Sequence, residues 1–251
     1  MLYGRFIQTT GNFPGPKVIK PKGEKIKMEA IQFQKPETVD EAVKLLQNAE
    51  GDARILAGGT DLLVQLRAHM IDPGVIIDIK SIEETRTLTK NGDGSYTIGS
   101  AVAGAEAHER DDITADWPGV VEAWDLIGST QIQGRASLGG NLCNASPAGD
   151  SVPAMVAAGM TANIAGPDGR RSIPVEDVTV GPGKTSLKKG EFVVSFNLPA
   201  RPAKGGDAYL RLIPRTEMDI AVVGCGAALT LDDSGTVTSA KISLGAVAAT
   251  V

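Results

Sequence analysis

Cysteine and histidine are nearly missing from this chain, which carries two of each (Cys143 and Cys225, His69 and His108) in 251 residues. That is too few for a four-thiolate iron–sulfur cluster, a structural zinc site or a disulfide framework. Aromatic residues make up 4%, which argues against a platform on which bases stack. A net charge of −5 leaves no basic footprint for nucleic acid. No apolar run reaches the ~18 residues of a membrane-spanning helix. The N-terminus lacks the apolar core of a signal peptide, so a cytoplasmic, reducing location is the default expectation. No serine stands in an evident pattern with a histidine and an acid, so a hydrolytic triad has no support.

Glycine, by contrast, is plentiful, with 30 residues. Five of them fall in two motifs, Leu56-Ala57-Gly58-Gly59-Thr60-Asp61-Leu62-Leu63 and Ser137-Leu138-Gly139-Gly140-Asn141-Leu142-Cys143-Asn144-Ala145-Ser146-Pro147-Ala148-Gly149-Asp150. Each sets a Gly-Gly pair beside small hydroxyl or amide side chains and ends near an acid. Glycine lets the backbone approach a ligand closely, and successive N–H groups form concave anion sites. Two such motifs suggest one long phosphate-bearing ligand held from two sides. Neither has the Gly-x-Gly-x-x-Gly spacing of a Rossmann site. Gly181-Pro182-Gly183-Lys184-Thr185 resembles a Walker loop only in part, because Val178 stands where the first glycine belongs; it reads as a turn. Plainer readings stand beside these. Asp61 is also a helix cap, the second motif is also a tight turn tied by its own Asn and Ser groups, and Cys143 reads as a small packed side chain.

Along the chain, residues 1–27 combine Arg5 and five lysines with several glycines and prolines, and read as a tail or an arm for a partner subunit. The compact part is expected from Met28. A short strand at Ala30–Phe33 precedes a helix over Pro36–Leu46, with Thr38 and Glu41 as a capping box. A strand at Ala53–Ala57 feeds the first glycine motif, a helix follows over Leu62–Met70, and Val75–Ile79 is a buried strand. Further strands are expected at Tyr96–Val102, Phe192–Leu198, Ile220–Leu231 and Val237–Leu244. Helices are expected near Val120–Ile127 and Ser151–Gly159, and a hairpin turns at Gly166-Pro167-Asp168-Gly169. The C-terminus, stopping directly after a strand, suggests an incomplete final domain.

The two glycine motifs, together with Gly181-Pro182-Gly183-Lys184-Thr185, Glu191-Phe192-Val193-Val194-Ser195-Phe196-Asn197-Leu198-Pro199 and Arg215-Thr216-Glu217-Met218-Asp219-Ile220-Ala221, resemble the FAD-binding subunit of molybdenum hydroxylases. These are the relatives of xanthine dehydrogenase and aerobic carbon monoxide dehydrogenase. The resemblance spans residues 28–251. It implies an α+β fold: a two-subdomain FAD-binding fold of the vanillyl-alcohol-oxidase type, then a small α+β C-terminal domain. The domains implied are 28–185 (subdomains 28–80 and 81–185) and 186–251.

Carried onto these positions, the resemblance puts Ile55, Leu56, Ala57, Gly58, Gly59, Thr60, Asp61 and Leu62 around the FAD pyrophosphate and ribityl chain. It puts Ser137, Gly139, Gly140, Asn141, Asn144 and Asp150 on the other side of the cofactor and Val193 near the isoalloxazine. Arg211 stands where relatives often have a lysine near the flavin. One departure is Ile132-Gln133-Gly134-Arg135-Ala136 before the second motif, where relatives commonly read Ile-Arg-Asn-x-Ala.

The implied role is electron transfer. FAD would take electrons from [2Fe–2S] clusters of a small partner subunit, a large partner would carry molybdopterin and oxidise the substrate, and an external acceptor would be reduced. The implied assembly is a dimer of heterotrimers. The alternative is a self-sufficient flavin oxidoreductase of the same fold. A cell-wall reductase of a related FAD fold and a non-enzymatic assembly module fit the motifs less well.

Overall fold

The computed structural model describes residues 31–251, and the expected extension at 1–27 lies outside them. The chain opens with β1 (Gln32–Gln34), α1 (Val39–Asn48), β2 (Ala53–Leu56), α2 (Leu62–Arg67) and β3 (Val75–Asp78). The strands form a parallel sheet in the order β1-β3-β2. The start of α1 is set locally: Thr38 Oγ1 accepts from the Glu41 N–H at 3.2 Å, and the Glu41 carboxylate accepts from the Thr38 N–H at 3.3 Å. Val39, Ala42, Val43 and Leu46 then fall on one helical face and pack with Val75, Ile77 and Ile79 in one buried cluster. The second helix stops at Arg67 instead of running to Met70, because His69 takes a left-handed backbone with φ 54°.

A second layer follows. Its helices are α3 (Glu83–Arg86), α4 (Gly104–His108), α5 (Asp111–Asp116), α6 (Pro118–Asp125), α7 (Thr130–Gln133), α8 (Leu138–Cys143) and α9 (Ser151–Ala157). Its strands are β4 (Leu88–Lys90), β5 (Tyr96–Gly99), β6 (Thr161–Gly166), β7 (Gly169–Pro174), the small hairpin β8 (Thr179–Gly181) and β9 (Lys184–Thr185), and β10 (Phe192–Leu198). Five of them make an antiparallel sheet in the order β4-β5-β10-β6-β7. The near-continuous apolar run of β10 follows from its two covered faces, with Phe192 and Val194 packed in one buried cluster and Val193, Phe196 and Leu198 in the other. The boundary expected at 185/186 therefore falls before the middle strand of this sheet, and the chain leaves the sheet only after Leu198. Trp117, Trp124, Leu138, Met155 and Phe196 form the core under it.

The last sheet is β11 (Gly205–Leu212), β12 (Val223–Leu231) and β13 (Val237–Gly245), antiparallel in that order. Strand β11 is unanticipated from sequence. Its Gly-Gly start hides it, and its apolar alternation points outward: Leu210 and Leu212 are exposed while Tyr209 is buried. The inner face sits backbone-close on α6 and α9. A Cβ on Gly226 would lie 2.4 Å from the Pro153 carbonyl oxygen, and one on Gly119 would lie 2.7 Å from Ala208 Cα. Buried Tyr209 and the half-buried Asp150 and Arg211 join across this junction. Asp150, at the head of α9, accepts from the Tyr209 hydroxyl at 3.0 Å and from the Arg211 guanidinium at 3.0 Å.

Candidate functional site: a cleft between two glycine motifs

The β2–α2 junction and α8 stand on opposite sides of one cleft of about 310 Å³. Ile55, Ala57, Gly58, Gly59, Thr60, Asp61 and Leu62 line it from one side, Ser137, Gly139, Gly140, Asn141 and Asn144 from the other, and Val193 from β10. Leu56, Asp150 and Arg211 do not line it. Leu56 supports the motif from within, its Cδ1 lying 2.7 Å from where a Gly59 Cβ would be. Asp150 and Arg211 are engaged with each other at the C-terminal sheet, and Arg211 also donates to the Leu126 carbonyl at 3.0 Å. Burial pushes the Asp150 carboxyl up, against the opposing pull of Arg211 and Tyr209.

In the first motif, no group among the described residues accepts from the N–H of Gly58, Gly59, Thr60, Asp61 or Leu62. A row of donors without acceptors is unusual in a folded chain and suits a ligand rich in acceptor oxygens. Gly59 is required here by its φ of 82°. Asp61 opens to solvent and accepts no side-chain cap bond at its own helix. It is an acceptor without a cation, as hydroxyl recognition requires.

The second motif is a helix where a loop was expected. The Ser137 hydroxyl caps α8 by accepting from the Gly140 N–H at 3.1 Å, and the Gly139 N–H donates to the Ser100 carbonyl at 3.2 Å. Asn141 Oδ1 accepts from the Ser151 N–H at 3.2 Å and hydroxyl at 2.7 Å. Asn144 Oδ1 accepts from Gln65 Nε2 at 3.0 Å. The two asparagine NH₂ groups have no acceptor among the described residues. The Gln65–Asn144 bond ties α2 to the end of α8 and so joins both walls of the cleft.

Sequence reasoning missed several residues of the cleft. Gln65 lies one helical turn after Asp61, and that spacing was the available signal. Ser100, 2% exposed, lines the cleft with a hydroxyl that has no hydrogen-bond partner; nothing in its sequence setting pointed to it. Thr185 and Glu191 close the rim. Cys143 also lines the cleft, and burial pushes its thiol up to about 12. An orphaned buried hydroxyl, a row of free N–H groups and two free amides fit an extended, phosphate-bearing cofactor such as FAD.

A parallel-sheet unit, an antiparallel sheet and a cleft between them define an FAD-binding fold. Residues 28–201 match the FAD binding domain in molybdopterin dehydrogenase, and residues 208–251 match the CO dehydrogenase flavoprotein C-terminal domain. The chain is 33% identical over 219 residues to a putative xanthine dehydrogenase FAD-binding subunit of Escherichia coli, spanning 87% of this chain and 74% of that protein. It is 32% identical over 221 residues to the carbon monoxide dehydrogenase medium chain of Hydrogenophaga pseudoflava, spanning 88% and 76%. A solved structure of carbon monoxide dehydrogenase from Hydrogenophaga pseudoflava, lacking the Mo-pyranopterin moiety of the molybdenum cofactor, superposes with a TM-score of 0.82 at 31% identity, over 88% of this chain and 76% of that one. The chain belongs to the FAD-binding subunits of the molybdenum hydroxylase family. No helix among the described residues is long and apolar enough to cross a membrane.

Proposed function

We propose that the cleft holds FAD between its two glycine motifs and that the chain is the electron-transfer subunit of a molybdenum-containing hydroxylase or dehydrogenase. In this reading it takes electrons from [2Fe–2S] clusters of a small partner subunit and passes them to an external acceptor. A large subunit carries molybdopterin and meets the substrate, and the assembly is a dimer of heterotrimers in the cytoplasm, a setting in keeping with two free cysteines. FAD supplies chemistry that suits such a junction, accepting single electrons and delivering two.

The chain's own part is binding and orientation. The N–H groups of residues 58–62 receive the pyrophosphate, and Asp61 accepts from a cofactor hydroxyl. The NH₂ groups of Asn141 and Asn144 donate from the opposite wall, and Val193 gives the flavin ring an apolar contact. The subdomains proposed are 28–80 and 81–198, the second extended past the expected end at 185 to take in β10, with the C-terminal domain built on β11–β13. Asp150 and Arg211 act here as the brace that holds α9, and with it the end of the second motif, to the C-terminal sheet.

The observation that carries the reading is the row of unpartnered N–H groups facing α8 across one cleft. Reconstitution of the purified chain tests it: one FAD per chain, with a flavin absorbance spectrum, is expected, and no uptake rejects it. The electron path is tested separately by affinity capture. Recovery of a cluster-bearing and a molybdenum-bearing subunit is expected, and their absence rejects the relay.

A further inference from the structure

The Lys80 ammonium donates to the Ala57 carbonyl at 2.8 Å and to Asp78 Oδ1 at 2.7 Å. Neither Lys80 nor Asp78 lines the cleft. Asp78 is 8% exposed and also accepts from the Lys80 N–H at 3.1 Å, so the lysine is held at both its backbone and its charged end. A trans peptide directs its C=O and N–H to opposite sides, and the described residues contain no cis bond. The Ala57–Gly58 peptide therefore turns its N–H away from Lys80. Gly58 lines the cleft, and that N–H is the first of the unpartnered row. A cation on the carbonyl polarises the same peptide unit and strengthens its N–H as a donor. The peptide is also held at its α-carbon: a Cβ on Gly58 would stand 1.9 Å from the Arg135 carbonyl oxygen.

We infer that Lys80 is a positioning residue for the cleft, which aims and polarises the Gly58 N–H toward the cofactor phosphate without touching the cofactor. The inference rests on the FAD reading above. It assigns a role to a side chain that the glycine motif itself does not contain.

The test uses the ¹⁵N-labelled full chain and the variants Lys80→Met and Lys80→Arg. Without ligand, the Met variant is expected to shift the Gly58 amide resonance while those of Gly139 and Gly140 stay in place. Its FAD dissociation constant is expected to rise about tenfold, because the Gly58 N–H is aimed less well and donates more weakly. The Arg variant restores most of the affinity because it keeps the cation. If the Met variant does not fold, Lys80→Gln, which keeps an N–H donor without the charge, is expected to show the same two changes in smaller measure. An unmoved Gly58 amide, or FAD affinity unchanged in the folded variant, overturns the inference. A natural chain that takes up no FAD overturns the proposed function instead. The amide shift needs no ligand and separates the two failures.

Discussion

In the first motif the Gly-Gly pair leads into a helix and leaves a run of N–H groups without acceptors. In the second the pair sits inside a helix, and its own N–H groups are already committed, that of Gly139 to the Ser100 carbonyl and that of Gly140 to the Ser137 hydroxyl. Similar letters thus serve different ends. Gly59 answers a positive φ and Gly58 a carbonyl at 1.9 Å, while Gly139 answers the Ser100 carbonyl, which a Cβ would approach to 2.4 Å. Most of these glycines exist so that protein can meet protein. In the first motif the close meeting leaves backbone donors free, and in the proposed function these receive the anion; the second motif keeps only the side-chain amides of Asn141 and Asn144 free and sets the shape of the cleft.

The largest effect that can break this contrast is expected at Gly58→Ala. A methyl group driven into a backbone carbonyl costs about 3 kcal/mol, near the top of the overpacking range, and it displaces the donor row. Denaturant unfolding and FAD titration should both report a large loss. Gly139→Ala comes next, destabilising by about 1–3 kcal/mol but leaving FAD affinity of the folded protein nearly unchanged; a selective loss of FAD there would erase the distinction between the walls. The strap between the walls is weaker. Gln65→Ala and Asn144→Ala should each cost about 1 kcal/mol, and the double variant about the same as either one alone, since both remove one bond. A double-mutant cycle by chemical unfolding reads this directly.

The smallest effect lies at the rim, where the Arg171 guanidinium holds the Glu191 carboxyl below the usual glutamate range. A folded value below the unfolded one adds stability above that range and loses it as pH falls through it. Arg171 is one-third exposed, so the effect is modest. The melting temperature of Glu191→Gln should decline slightly less on acidification than that of the natural chain.

Much of this was legible in the residues. Thr38 and Glu41 announced α1, the run Val75-Ile76-Ile77 announced a buried strand, and Phe192–Leu198 was bounded to the residue. The pairing of both motifs on one cleft also followed from the sequence. What escaped was set by tertiary contact. The turn of α8 is stabilised by Ser137 and by its seat on Ser100, neither of which overrides the loop-like look of Leu-Gly-Gly-Asn. Strand β11 shows its apolar residues to the outside, so its alternation signals nothing about burial. Lys80 sits far from the motif it braces, and only the fold of β3 against β2 brings its ammonium to Ala57.

The cluster of Tyr209, Asp150 and Arg211 has a kinetic consequence. Its members come from both sides of the junction between α9 and the C-terminal sheet, and parting the two sides leaves the Asp150 carboxyl without the Tyr209 and Arg211 donors and the Tyr209 hydroxyl without its acceptor. Neither side can open without paying that desolvation, so the two sides are tied into one cooperative unit. Amide hydrogens in β11 and in α9 should therefore exchange with solvent through a shared opening event, with one common protection level, although the chain runs through three further strands of the middle sheet between them.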